Sequence, residues 1–143
     1  DLDQRANSFP KVNIKSKIQW RSPKQKEAFD AINSNHSGIL NLNTGKGKTV
    51  IALHKIAVDA VPALIVVHNT TLKDQWLERI NDLLVVPDGI GMIGGPKMDW
   101  KHPITIAMIE TLANRASDKS LEKPDRESQD FGLSCWYAEW QLR

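Results

Sequence analysis

Residues 1–19 are polar and weakly periodic, and they read as an N-terminal arm or edge element. Order begins near Trp20. Gln25, Ala28, Phe29 and Ile32 recur at the spacing of one helix face, with Ser22 as cap and Pro23 at the first helical position. The segment 33–38 breaks that pattern, and Gly38 to Leu42 reads as a short buried strand. After a glycine-rich turn a helix is expected from Lys48 to Ala60, with Val50, Leu53, His54 and Ala57 on related faces and Pro62 as the stop. Ala63 to Val67 is a continuous β-branched and aliphatic run, the composition of a parallel strand covered on both faces. Leu72, Trp76, Ile80, Leu83 and Leu84 then recur at helical spacing behind Thr70 or Thr71 as cap, while Lys73, Asp74, Glu78 and Arg79 face outward. Further along come a strand at Ile90 to Ile93, a Gly- and Pro-rich turn, a strand at Ile104 to Met108 and a short helix at Glu110 to Arg115. Residues 116–130 form a charged stretch without apolar period, and Leu133 to Tyr137 reads as the final strand. Strands alternating with helices predict an α/β fold: a mainly parallel β-sheet flanked by helices, with right-handed crossovers.

Composition narrows this picture only a little. The 143 residues, 41% of them hydrophobic, suffice for one globular domain, expected over 20–143 behind the arm at 1–19. Lys and Arg number 19 against 17 Asp and Glu, so net charge alone does not announce a polyanionic partner. The single cysteine, Cys135, cannot close an internal disulfide and suits a reducing, cytoplasmic setting. The longest apolar stretch, around Ala60 to Val67, is interrupted by Pro62 and falls far short of the roughly 20 residues that cross a bilayer, so no membrane partner is expected. His36, His54, His68 and His102 do not share metal-ligand spacing with one another or with Cys135.

Candidate chemistry is concentrated in Asn43, Thr44, Gly45, Lys46, Gly47, Lys48 and Thr49, which stand between a predicted strand and a predicted helix. Glycines let the backbone wrap phosphate oxygens closely, and the amides of a helix N-terminus point partial positive charge at an anion. In such a P-loop Lys48 reaches the outer phosphates of ATP, and the Thr49 hydroxyl is the metal-side group, facing Mg²⁺. The general pattern has a glycine five places before Gly47, where this chain has Leu42.

A Thr-Gly-x-Gly-Lys-Thr loop without that early glycine resembles motif I of the superfamily two helicases. Upstream, Arg21, Ser22, Pro23, Lys24 and Gln25 resemble that superfamily's adenine-reading segment, which makes Gln25 the candidate for the base; a glutamine near the start of a surface helix is otherwise simply solvated. Downstream, Leu64 to Trp76 resembles motif Ia, whose helix start touches the nucleic-acid backbone in the family. The amides and hydroxyls of Asn69, Thr70 and Thr71 suit a phosphate there, and they suit plain helix capping equally. Ile90 to Pro96 and Ile104 to Leu112 resemble the segment through motif Ib in the branch that includes phage recombination helicases and the excision-repair helicase of eukaryotes and archaea. Met108 and Glu110 stand where that branch commonly has Thr and Gln, which leaves Thr111 and the backbone as the contacts compatible with phosphate. The cluster Lys97, Lys101 and His102 reads either as a solvated loop or as a nucleic-acid approach.

The resemblance implies a RecA-like first motor domain that binds ATP and Mg²⁺ and contacts a DNA or RNA backbone, DNA favoured, and that works against a second RecA-like domain of a longer protein in the cytoplasm, of viral or phage origin among the options. It also implies an Asp-Glu pair at the end of a later strand, holding the metal shell and polarising water. Counted from Phe131, Gly132 and Leu133, that position holds Tyr137 and Ala138; one residue later, it keeps Glu139 and loses the aspartate. Natural degeneration, an engineered substitution and a reading-frame error all produce this pattern. Two functions follow: part of an ATP-dependent helicase or translocase, inactive alone, with Lys48, Thr49 and Glu139 as its catalytic candidates, or a non-catalytic module that holds nucleotide or nucleic acid.

Overall fold

A computed structural model describes residues 11–35, 37–43 and 47–117 and the backbone of 136–138. Helix α1 (Pro23–Asn33) starts where expected: Ser22 is extended, its Oγ accepts from Gln25 N at 3.4 Å, and Pro23 occupies the first turn. Helix α2 (Lys48–Asp59) begins at Gly47 and ends at Ala60, both in the left-handed region, with Pro62 just beyond. Helix α3 (Thr70–Leu83) is capped by Asn69 rather than by Thr70 or Thr71. Asn69 is extended, so its Oδ1 reaches the amide of Leu72 at 2.8 Å, whereas both threonines are already helical. Helix α4 spans Ile109–Ser117.

The strands are β1 (Lys15–Ser16), β2 (Gly38–Leu40), β3 (Ala63–Val67), β4 (Leu84–Val85), β5 (Ile90–Gly94), β6 (Lys97–Asp99), β7 (Ile104–Met108) and β8 (Trp136–Ala138). The main sheet runs β3-β7-β5-β6. Its pairs β3–β7 and β5–β7 are parallel, with Ile65 and Met92 both opposite Ile106, so the chain passes over the central slot through α3 before β7 fills it. The phosphate-loop strand β2 instead pairs in parallel with β8, and β1 pairs antiparallel with β4. Strand β2 stops at Leu40, two residues earlier than its apolar run suggested. The last strand includes Trp136–Ala138, one residue beyond the expected end at Tyr137, and residues 133–135 lie outside those described. Strand β6 has no apolar alternation to reveal it: Lys97, Met98 and Asp99 are all exposed, and pairing with β5 across the Gly94–Gly95 turn creates it.

Two cores result. Leu53, Ile65, Val67, Trp76, Ile80, Leu84, Ile104 and Ile106 pack with Ile14 between the main sheet, α2 and α3. Phe29, Ile32, Leu40 and Ile51 close a second cluster between α1, β2 and α2. Helix α2 contributes a fully buried residue to each, Leu53 to the first and Ile51 to the second. Truncating such a side chain to alanine costs about 2–5 kcal/mol. The helix that carries Lys48 and Thr49 is therefore clamped from both sides.

Candidate nucleotide site

Gly47 adopts φ 83° and ψ 36°, a conformation that an L side chain resists. A Cβ built there would also have to displace Nε2 of Gln25. No side chain caps α2; Ile51 N bonds Gly47 O at 3.1 Å, and the preceding amides of the first turn have no carbonyl within the helix to take them. A helix start of this kind attracts an anion. Lys48 is buried at this end and Thr49 is partly covered.

Gln25 is not the solvated surface residue that its place near a helix start allowed. It is only 8% exposed, its Oε1 accepts from Arg21 N at 2.9 Å, and its amide nitrogen abuts Gly47. The fold thus brings Gln25, Gly47, Lys48 and Thr49 together from two helices. Asn43 precedes them on an exposed segment. Thr44, Gly45, Lys46 and Glu139 lie outside the described residues, as do His36 and Cys135.

A cleft of about 330 Å³ opens between Thr49 and α3, lined by Leu72, Gln75, Trp76, Glu78 and Arg79. The start of α3 and the start of α4 both lie at the C-terminal ends of the strands, because β3 and β7 are parallel and Val67 is opposite Met108. Asn69 and Thr70 follow one strand, and Thr111 follows the other. The Oδ1 of Asn69 is engaged in capping, which leaves its amide hydrogens for an external acceptor, and Thr70 is exposed. Thr111 Oγ1 accepts from Gly95 N at 3.1 Å and retains its own hydroxyl proton.

Lys101 and His102 have separate partners. Lys101 Nζ sits 5.8 Å from the Trp100 ring, and His102 is turned onto a backbone carbonyl and a carboxylate. Its Nδ1 faces Asp88 O at 2.9 Å and its Nε2 faces the Asp99 carboxylate at 2.9 and 3.0 Å. Only the imidazolium donates to both, and these acceptors, the Asp88 carbonyl first, raise its pKa above 6.5. A separate groove of about 660 Å³ lies beside this hairpin, lined by Leu77, Ile90, Met92, Lys97, Met98 and Asp99.

Sequence reasoning missed Ser16 and His54. Trp20, Phe29 and His54 form a mutually contacting trio of rings, and Ser16 Oγ lies 2.9 Å from His54 Nδ1. The only sequence signal was the placement of His54 on the helix that follows the phosphate loop.

The described backbone of β8 runs beside β2, with Ile39 opposite Tyr137 and Leu40 opposite Ala138. The three positions that it brings next to that strand, Trp136, Tyr137 and Ala138, include no carboxylate. No helix among the described residues is long and apolar enough to cross a membrane.

The sequence pattern of the family described as the type III restriction enzyme res subunit matches residues 17–132. The DNA 3'-5' translocase XPB2 of Sulfurisphaera tokodaii is 39% identical over 112 residues, 78% of this chain and 25% of that protein. The DNA 3'-5' helicase XPB of Kineococcus radiotolerans is 29% identical over 112 residues, 78% of this chain and 20% of that protein. A protein of Acanthamoeba polyphaga mimivirus whose name proposes an ATP-dependent RNA helicase is 31% identical over 96 residues, 67% of this chain and 17% of its own length. The chain therefore spans about a quarter or less of each relative.

Proposed function

This chain belongs to the family of the type III restriction enzyme res subunit and is a superfamily two helicase motor domain, and from that premise we propose that it binds ATP with Mg²⁺ and engages the backbone of DNA. The observation that carries the reading is the start of α2: a left-handed Gly47 pressed against Gln25, no side-chain cap on the helix, a buried Lys48 in its first turn and Thr49 next in line. These residues fit a magnesium nucleotide. The backbone and Lys48 would hold the phosphates, Thr49 would offer its hydroxyl to the metal, and Gln25 would face the adenine. The metal, when bound, supplies charge neutralisation to the triphosphate. Calorimetric titration with MgATP tests this, and Lys48→Ala should weaken binding; equal affinity with and without Lys48 would sink the loop assignment.

Nucleic acid is expected at the C-terminal ends of β3 and β7, at Asn69, Thr70 and Thr111, through phosphate rather than base contacts. Binding should then be nearly independent of sequence and weaken as salt is added. DNA is favoured because two relatives are named for DNA translocation or unwinding. In a longer protein a second RecA-like domain would close on the nucleotide and supply the groups that turnover needs. The second reading, a module that holds nucleotide without hydrolysis, is favoured by one observation: the described part of β8, Trp136–Ala138, brings no carboxylate beside β2.

A further inference from the structure

Behind the candidate adenine residue lies a set of contacts that the phosphate loop does not account for. His54 follows Lys48 by six residues on α2, and its ring completes a triangle with Trp20 and Phe29, meeting each at a steep angle. Its centroid distances are 4.9 and 4.7 Å and its interplanar angles 74° and 71°. The two flanking rings are themselves 5.3 Å apart. His54 Nδ1 is 2.9 Å from Ser16 Oγ, which also accepts from Ile18 N at 3.2 Å. One imidazole thus joins β1, α1 and α2.

The rings that grip it also bracket the groups that orient Gln25. Trp20 immediately precedes Arg21, whose N–H donates to Gln25 Oε1, and Phe29 lies one turn beyond Gln25 on the same buried face of α1. The other end of the Gln25 carboxamide rests on Gly47. We propose that His54 is a positioning residue for base recognition: by gripping Trp20 and Phe29 it fixes Arg21 and α1, and so holds the Gln25 carboxamide in register with the phosphate loop. The inference rests on the reading of Gln25 as the adenine-facing residue. An amide selects a purine edge only while its donor and acceptor ends keep their places, because rotation interchanges them.

The groups that face the ring are Ser16 from β1, Trp20 from the segment ahead of α1 and Phe29 from α1, none of which ionises near neutral pH. The nearest charge along α2, Lys55, is engaged by Asn33 and Asp59 at 3.3 and 2.8 Å. Burial lowers the proton affinity of His54, so these contacts belong to the neutral ring and weaken on acidification, when the ring takes on a charge that its partly buried site solvates poorly.

The test compares affinities for MgATP, MgGTP and magnesium tripolyphosphate in the whole chain between about pH 5 and 8, the range in which histidine titrates. His54→Ala should reduce the preference for ATP over GTP by about threefold to tenfold, the worth of one hydrogen bond, and leave tripolyphosphate affinity unchanged. His54→Phe keeps the ring contacts and should retain the preference at pH 7 while removing its decline in acid. The proposal is overturned if Gln25→Ala abolishes the preference but His54→Ala does not, or if His54→Ala weakens tripolyphosphate by the same factor, which marks a purely structural loss. If Gln25→Ala leaves the preference intact, it is the adenine reading that fails, and this inference falls with it.

Discussion

Gly47 carries two constraints at once, a positive φ and a neighbour in van der Waals space. Gly47→Ala should cost about 1–2 kcal/mol from the left-handed backbone alone, and the displaced Gln25 adds to that. Urea denaturation should show the loss of stability, and calorimetry should show MgATP binding weakened beyond what partial unfolding explains. The two histidines make opposite demands on pH. His54 has its folded pKa lowered by burial, so its contribution is complete above the ordinary value of 6.5 and is lost as pH falls from there toward the folded value. His102 has its folded pKa raised, so its contribution is complete below 6.5 and is lost as pH rises through the folded value. Following each imidazole by proton NMR should place His54 below and His102 above 6.5. Asp99→Asn should move only His102, and downward, since it removes the carboxylate that faces Nε2. A common midpoint for both rings would contradict the environments described.

At the level of the element, the start of α3 has two separable duties. Asn69 Oδ1 caps the helix through Leu72 N, and the remaining amide hydrogens are offered to a phosphate. Asn69→Ala should therefore destabilise the chain by about 1 kcal/mol, as loss of a cap does, and weaken nucleic-acid binding as well. Asn69→Asp preserves the cap and favours the helix dipole, yet sets a negative charge against the phosphate. It should keep the denaturation midpoint while lowering affinity for a short DNA duplex in a salt-dependent way. Asp binding DNA as well as Asn would reduce this helix start to a structural role. The hairpin of β5 and β6 is the element least visible beforehand. Its edge strand is held by pairing with β5, by the Gly95–Thr111 bond at the turn and by the His102 clamp at the base, none of which leaves an apolar period in the sequence.

On the scale of the whole molecule, a polypeptide of these 143 residues should hydrolyse ATP at close to the background rate, with or without DNA. It holds one phosphate loop and, on the described part of β8, Tyr137 and Ala138 beside the loop strand. Loss of one transition-state-stabilising group commonly costs about 2.7–4 kcal/mol, and groups that act as a unit do not add simply. Steady-state phosphate release measures this, with Lys48→Ala as the control for contaminating ATPases. Robust turnover abolished by that substitution would mean that Glu139 or another carboxylate replaces the pair. Much of this protein was determined by the sequence alone. The parallel strands Ala63–Val67 and Ile104–Met108, the helix behind Asn43 to Thr49 and the family resemblance are local, periodic or motif-borne, and each can be read from neighbours in the chain. Tertiary structure alone decided the burial of Gln25 against Gly47, the choice of Asn69 as cap, the pairing of β2 with β8 and the meeting of His54 with Trp20 and Phe29. Those contacts join residues far apart in sequence or depend on one backbone dihedral, and neither composition nor period encodes which distant side chain will fill a given space.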